Sequence, residues 1–256
     1  IWSVESGLPQ ISVLAMVQDA DGFIWLGTQN GLARFDGVHF DVFNTANSPA
    51  LPSNLISALL IDDQQQLWVG TANGLVKRVG QQFTAVEGGR IGNVNALLQA
   101  TDGKIWIGAD QLYLSSEHGL QPFTQHPGEA FSLLQTPKGL WVGGVNGVGL
   151  LTDSDSYQWL TSPNTANTES AIQFHELGYY NNNLWLGSQL GLFQLTESAE
   201  WLSIDLPDMG LVRVELIFTD QQQGLWISTL DKLFRWHNGN LVEQVDMPEL
   251  HNFSWV

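Results

Sequence analysis

One motif returns six times along this chain and constrains everything else about it. The stretches IWLGTQNG, LWVGTANG, IWIGADQL, LWVGGVNG, LWLGSQLG and LWISTLDK set Trp25, Trp68, Trp106, Trp141, Trp185 and Trp226 at successive gaps of 43, 38, 35, 44 and 41 residues. A fixed period decides architecture before local propensity does, because each unit must cover its apolar faces with the next unit. Each copy opens on an apolar run, such as VLAMV at 13–17 or ISALLI at 56–61, and then a polar turn containing Asp or Gly. A Trp-centred strand follows, then a turn that carries Asn30-Gly31 and Asn73-Gly74 in the first two copies, residues that tolerate the positive φ of a tight hairpin. A third strand and a more polar fourth strand with an aromatic residue close the copy. Four short strands in about 40 residues predict a blade of an all-β propeller.

The predicted blade cores run at about 11–43, 54–86, 92–125, 127–160, 170–202 and 211–243 of a single domain spanning 1–256. Residues 1–9 read as an outer strand and return loop, and 249–256 as the start of a further blade. Six complete repeats with a partial one at each end favour a piece of a seven-bladed ring, with a closed six-bladed ring as the alternative. Ile1 stands in strand-like sequence without a preceding Met, which predicts an excised segment of a longer protein. The recurrent tryptophans are expected to pack between blades, since a residue repeated in every copy does a repeated structural job.

Composition narrows the partners. Nine Lys and Arg against 26 Asp and Glu give a formal charge of −17, which repels a phosphate backbone and argues against nucleic acid. No apolar run approaches the ~20 residues of a membrane span, so no direct membrane insertion by this chain is expected. The absence of cysteine removes disulfides, thiolate nucleophiles and cysteine metal sites together.

The shared consensus, QDADG followed by FIWLGTQNGLARFDG, an aromatic strand and GLP, resembles the regulator-propeller repeat of bacterial two-component sensors. It is strongest at 18–28 and 67–71; later copies drift, with Ala109, Gly144 and Ser188 in place of Thr and Ser228 in place of Gly. The resemblance implies a periplasmic sensor module of an inner-membrane receptor. A homodimer and a kinase or diguanylate cyclase output outside this chain are also implied.

No catalytic pattern competes with that reading. Asp19-Ala20-Asp21-Gly22 resembles the start of a calcium loop, but Asn30 stands where the twelfth-position glutamate belongs. Asp102-Gly103 ahead of Trp106 resembles the aspartate box of sialidases, yet the five arginines are scattered through the chain. The six histidines, at 39, 118, 126, 175, 237 and 251, show no metal-ligand spacing and read as surface or turn residues. No cofactor is expected, and a propeller glycosidase or lyase is the least favoured alternative, behind a protein-interaction scaffold.

The candidate ligand-binding residues come from the innermost strands, which would line a central channel. Aligned on the tryptophans, Asn93 and Asn95 fall on this strand in the third copy, Gln173 and His175 in the fifth, and Arg213 and Glu215 in the sixth. Residues two apart on a strand share a face. Polar groups buried there either satisfy one another or await a ligand, expected to be a small polar or sugar-like molecule.

Overall fold

The computed structural model describes residues 7–152, 156–162, 171–207, 212–220 and 222–246. The expected outer strand at 1–9, apart from Gly7 to Pro9, and the expected further blade at 249–256 lie outside these residues. Among the described residues, 24 strands form six four-stranded antiparallel sheets, each laid down in sequence order. These blades span 13–43, 56–85, 96–122, 132–161, 174–204 and 214–246. The chain divides into two compact units, 1–135 and 136–256, and the division falls in the first strand of blade 4, Ser132–Thr136.

Blades are held face to face by apolar side chains that one sheet alone would leave wet. In the first unit, Trp25 and Leu32 of blade 1 pack on Ile56, Leu59, Val69 and Val76 of blade 2. The other face of blade 2, through Ala58, Trp68 and Leu75, packs on Val94, Ile105 and Ile107 of blade 3. In the second unit, Trp185 and Leu192 of blade 5 pack on Val214, Ile217, Leu225 and Phe234 of blade 6. Each such side chain, once buried, contributes about 1.5–3 kcal/mol of transfer free energy. Trp25, Trp68 and Trp185 therefore face forward, toward the next blade of their unit.

The glycine two residues after the tryptophan is set by the same packing. A Cβ added at Gly27 would lie 2.8 Å from Ile56 Cγ2, and one at Gly70 would lie 2.6 Å from Val94 Cγ1. At Gly108 it would meet the Ala130 carbonyl at 2.9 Å, and at Gly187 it would meet Val214 Cγ1 at 2.8 Å. In every case the nearest obstacle lies at, or two residues ahead of, the start of the first strand of the next blade. Glycine is thus required by close approach between blades.

The aspartate six residues before the tryptophan has a different task, inside its own blade. Trp25 Nε1 donates to Asp19 Oδ2, Trp68 Nε1 to Asp62 Oδ2 and Trp226 Nε1 to Asp220 Oδ2, each at 2.8 Å. The second carboxylate oxygen accepts from two backbone N–H groups of the turn, for example Gln64 and Gln66 on Asp62 Oδ1 at 3.0 and 2.8 Å. One side chain therefore closes the turn and satisfies a buried indole. In blade 6, Arg235 adds a contact to Asp220 Oδ2 at 2.8 Å, and these donors, led by the Gly224 N–H, hold the Asp220 carboxyl well below the usual carboxylate range.

The hydroxyl three residues after the tryptophan is a second local clasp. Thr28 Oγ1 donates to Gly31 O, Thr71 Oγ1 to Gly74 O and Thr229 Oγ1 to Lys232 O. Ser188 makes the same bond to Gly191 O at 3.1 Å, so the Thr-to-Ser change in blade 5 conserves the function that the drifting consensus suggested was lost.

Candidate functional site

The first strands of blades 1, 2, 5 and 6 carry a β-bulge near their start, between Val13 and Ala15, Ile56 and Ala58, Phe174 and Glu176, and Val214 and Leu216. A bulge re-aims the extra side chain out of the ladder. In blades 2 and 5 that side chain reaches the next blade: Ser57 Oγ donates to Val94 O at 2.7 Å, and His175 Nε2 lies 2.9 Å from Val214 O. Asn95 Nδ2 does the same to Ala130 O at 3.0 Å. Val94 and Ala130 lie just ahead of the first strands of blades 3 and 4, and Val214 begins that of blade 6, so at these three joints a polar side chain tethers successive blades.

Two of the candidate channel residues, Asn95 and His175, are accordingly engaged in structural tethers. Asn93 and Asn95 lie just ahead of the third blade's first strand, Ala96–Gln99, where sequence alignment had placed them on it. The Asn95 backbone N–H still donates to Gly108 O at 2.8 Å, while its side-chain amide accepts from Asn93 Nδ2 at 2.6 Å and donates to Glu129 Oε1 at 3.3 Å. Gln173 precedes the strand Phe174–Tyr180 and forms an isolated bridge with Val145, while Arg213 precedes Val214–Thr219. His175 and Glu215 are on their strands.

The structure gathers Gln173, His175, Arg213 and Glu215 into one polar group within the second unit. His175 Nδ1 lies 3.1 Å from Gln173 O, and Arg213 Nε pairs with Glu215 Oε1 at 3.1 Å. Burial lowers the His175 pKa, with the nearby Arg213 charge acting in the same direction and the Val214 and Gln173 carbonyls opposing it. Arg213 retains 58% of its side-chain exposure, so its ion pair is worth at most about 1 kcal/mol and can exchange partners cheaply.

Sequence reasoning missed Glu176, which joins this group. It follows the bulge and turns into the joint between blades 5 and 6, where Ala58 stands in blade 2. Burial raises its pKa to about 7, against the Ile217 N–H that favours its charged form and with Glu215 adding to the rise. A carboxylate at an otherwise apolar repeat position was the available signal. His126 is a second departure: it is 5% exposed, its Nε2 lies 3.3 Å from Glu129 O, and burial lowers its pKa. Among the described residues no group of three His, Asp or Glu could hold a metal ion, and no helix is long and apolar enough to cross a membrane.

Four antiparallel strands to a blade, bulged first strands and forward-facing tryptophans define the β-propeller class. Residues 7–30 and 50–73 match the family model of the two-component regulator propeller. Each matched stretch runs from the loop before the first strand, with its buried Leu8 or Leu51, through the Asp–Trp clip to the hairpin clasp. No curated protein sequence matches the chain.

Solved structures share the fold. An extracellular domain assigned to a hybrid two-component system of B. thetaiotaomicron is similar over 91% of this chain with a TM-score of 0.74 and 22% identity. The chain spans 33% of that domain's length. Virginiamycin B lyase from Staphylococcus aureus is similar over 91% of this chain and 84% of its own, with a TM-score of 0.70 and 14% identity. A computationally designed protein, Ika8, is similar over 93% of this chain and 75% of its own, with a TM-score of 0.66 and 14% identity.

Proposed function

We propose that this chain is a non-catalytic sensing propeller from the extracytoplasmic part of a bacterial signal-transduction receptor, and that it binds a small polar or sugar-like ligand. The observation that carries this reading is the two-component regulator propeller match at 7–30 and 50–73. The extracellular origin of the similar B. thetaiotaomicron domain supports the location. Ligand contact is assigned to Arg213 and Glu215, whose exposed pairing is easily remade, with Gln173 beside them. His175 and Asn95 set the geometry of the blade joints on which such contacts rest. In the intact receptor, occupancy would change how two subunits sit against each other.

Thermal-shift screening with mono- and disaccharides, amino acids and small polar acids tests the reading, since only binding to the native state raises the melting temperature. A dose-dependent rise that disappears in Arg213→Ala, with the unliganded melting temperature unchanged, is the expected result. Conversion of any of these compounds to product, abolished by Glu176→Gln or His175→Ala, would instead assign the chain to the propeller enzymes.

A further inference from the structure

A crevice of similar placement occurs between blades 1 and 2 and between blades 4 and 5, with different chemistry. Between blades 1 and 2 it encloses about 240 Å3 and is lined by Asp19, Trp25, Ile61, Leu67 and Arg78. There the Asp19 carboxylate takes the Trp25 indole N–H, and the Arg78 guanidinium stacks over the Trp25 ring at 4.9 Å. The crevice thus holds an internal carboxylate, a cation and an aromatic floor.

Between blades 4 and 5 the crevice encloses about 150 Å3 and is lined by Lys138, Trp141, Tyr179, Leu184 and Leu195, among others. Tyr179, Leu184 and Leu195 stand in blade 5 where Ile61, Leu67 and Arg78 stand in blade 2. The floor is again a tryptophan, but the turn before it is one residue shorter, and its first strand ends on Thr136 rather than leading into an aspartate. The Thr136 hydroxyl is used within its own turn, toward Gly139 O and Lys138 N. Trp141 is 5% exposed, and its Nε1–H has no hydrogen-bond partner among the described residues.

A buried N–H without an acceptor costs about 1–3 kcal/mol, so the fold has reason to recruit one. The indole N–H groups of blades 1, 2 and 6 point at the turn between first and second strands. In blade 4 that turn contributes Lys138 to the wall of the crevice that Trp141 also lines. Lys138 is held only loosely, 3.9 Å from Glu197, whose side chain is 67% exposed. Leu150, Leu160, Leu184 and Leu195 supply apolar lining, and Glu197 itself borders the crevice as the competing partner of Lys138. Blade 5 shows the alternative solution: Trp185 Nε1 is also unpartnered, but the ring of Tyr180 fills the aspartate's place, 6.4 Å from the indole.

We propose that the crevice between blades 4 and 5 binds a small carboxylate with an apolar body. The ligand's carboxylate would occupy the place filled by aspartate in blades 1, 2 and 6, accepting from Trp141 Nε1–H and pairing with Lys138, while its body lies against the leucines. A cavity of 150 Å3 has the size of one known to admit benzene, so benzoate is a fitting probe. This site lies at the turns that join first and second strands, away from Arg213 and Glu215, and stands or falls independently of them.

The test is titration of the intact 256-residue chain with benzoate and benzamide, followed in the indole region of 1H–15N spectra and by ligand-observed saturation transfer. Benzoate should move the Trp141 indole resonance and leave that of Trp185 in place, and benzamide should bind at least about tenfold more weakly. Lys138→Met, at a partly exposed residue, should weaken benzoate about tenfold without altering the fold, and Trp141→Phe should do the same by saturation transfer. Equal binding of benzoate and benzamide, undiminished benzoate affinity in Lys138→Met, or a Trp141 resonance that never moves would each overturn the proposal.

Discussion

Replacing Glu176 with glutamine isolates the cost of keeping an acid in a blade joint. The folded protein raises this carboxyl from 4.5 to about 7, chiefly by burial. Its protonated form is therefore favoured by folding, and its contribution is most favourable below pH 4.5 and declines as pH rises toward 7. At 1.36 kcal/mol per unit, ionisation in place costs about 3 kcal/mol by pH 8 and less than about 1 kcal/mol at pH 5. Glutamine keeps an oxygen for the Ile217 N–H and never ionises. Glu176→Gln should thus melt higher than the parent at pH 8, by up to about 10 °C at 2–4 °C per kcal/mol, and the gap should shrink toward pH 5. The charged groups around this site, Arg213, Glu215 and His175, are common to both proteins and cancel to first order in the difference. Differential scanning fluorimetry across pH 4.5 to 8.5 reads the effect. A gap that is constant with pH, or one that widens toward acid, would refute burial as the source of the shift.

Two further outcomes follow from the repeat. Asp62→Ala strips the acceptor from the buried Trp68 indole and from two turn amides, and should destabilise the chain by about 3 kcal/mol, measured as a fall in melting temperature, with Asp62→Asn falling less. Gly70→Ala forces a methyl group against Val94 and Ala58 and should cost about 1–3 kcal/mol, whereas the same change at Gly22, where a Cβ would meet nothing within 4 Å, should cost only the strain of its positive φ.

The repeat made the blades readable because its period is a packing period: the six tryptophans, the glycines after them and the clipped turns all answer to a neighbour at a fixed offset. Strand ends were less legible. Asn95 matches its counterparts by position and its backbone N–H still reaches Gly108 O at 2.8 Å, but its side chain turns to Ala130 and Glu129 just ahead of the regular strand, and sequence carries no mark of that boundary. The candidate site was half visible. A search for polar residues on apolar strands found Arg213, Glu215 and His175, but the two-residue stride skipped Glu176, because the bulge at Phe174 to Glu176 breaks strict alternation. The open indole of Trp141 was hidden for a different reason. Its significance lies in a missing aspartate, and a one-residue shortening of the turn obscures which position is vacant.

The Asp–Trp clip and the Trp–x–Gly contact divide labour in a way that governs how errors travel. The clip is completed between residues six apart, so its hydrogen bonds are made and lost within one sheet. The glycine is completed only by the following sheet, so a fault there is handed on to Val94 or Val214 and through them to the next layer. A lineage of such repeats can therefore vary its turns freely, as blades 4 and 5 have done, while any bulk added at the glycine must be answered one sheet further along.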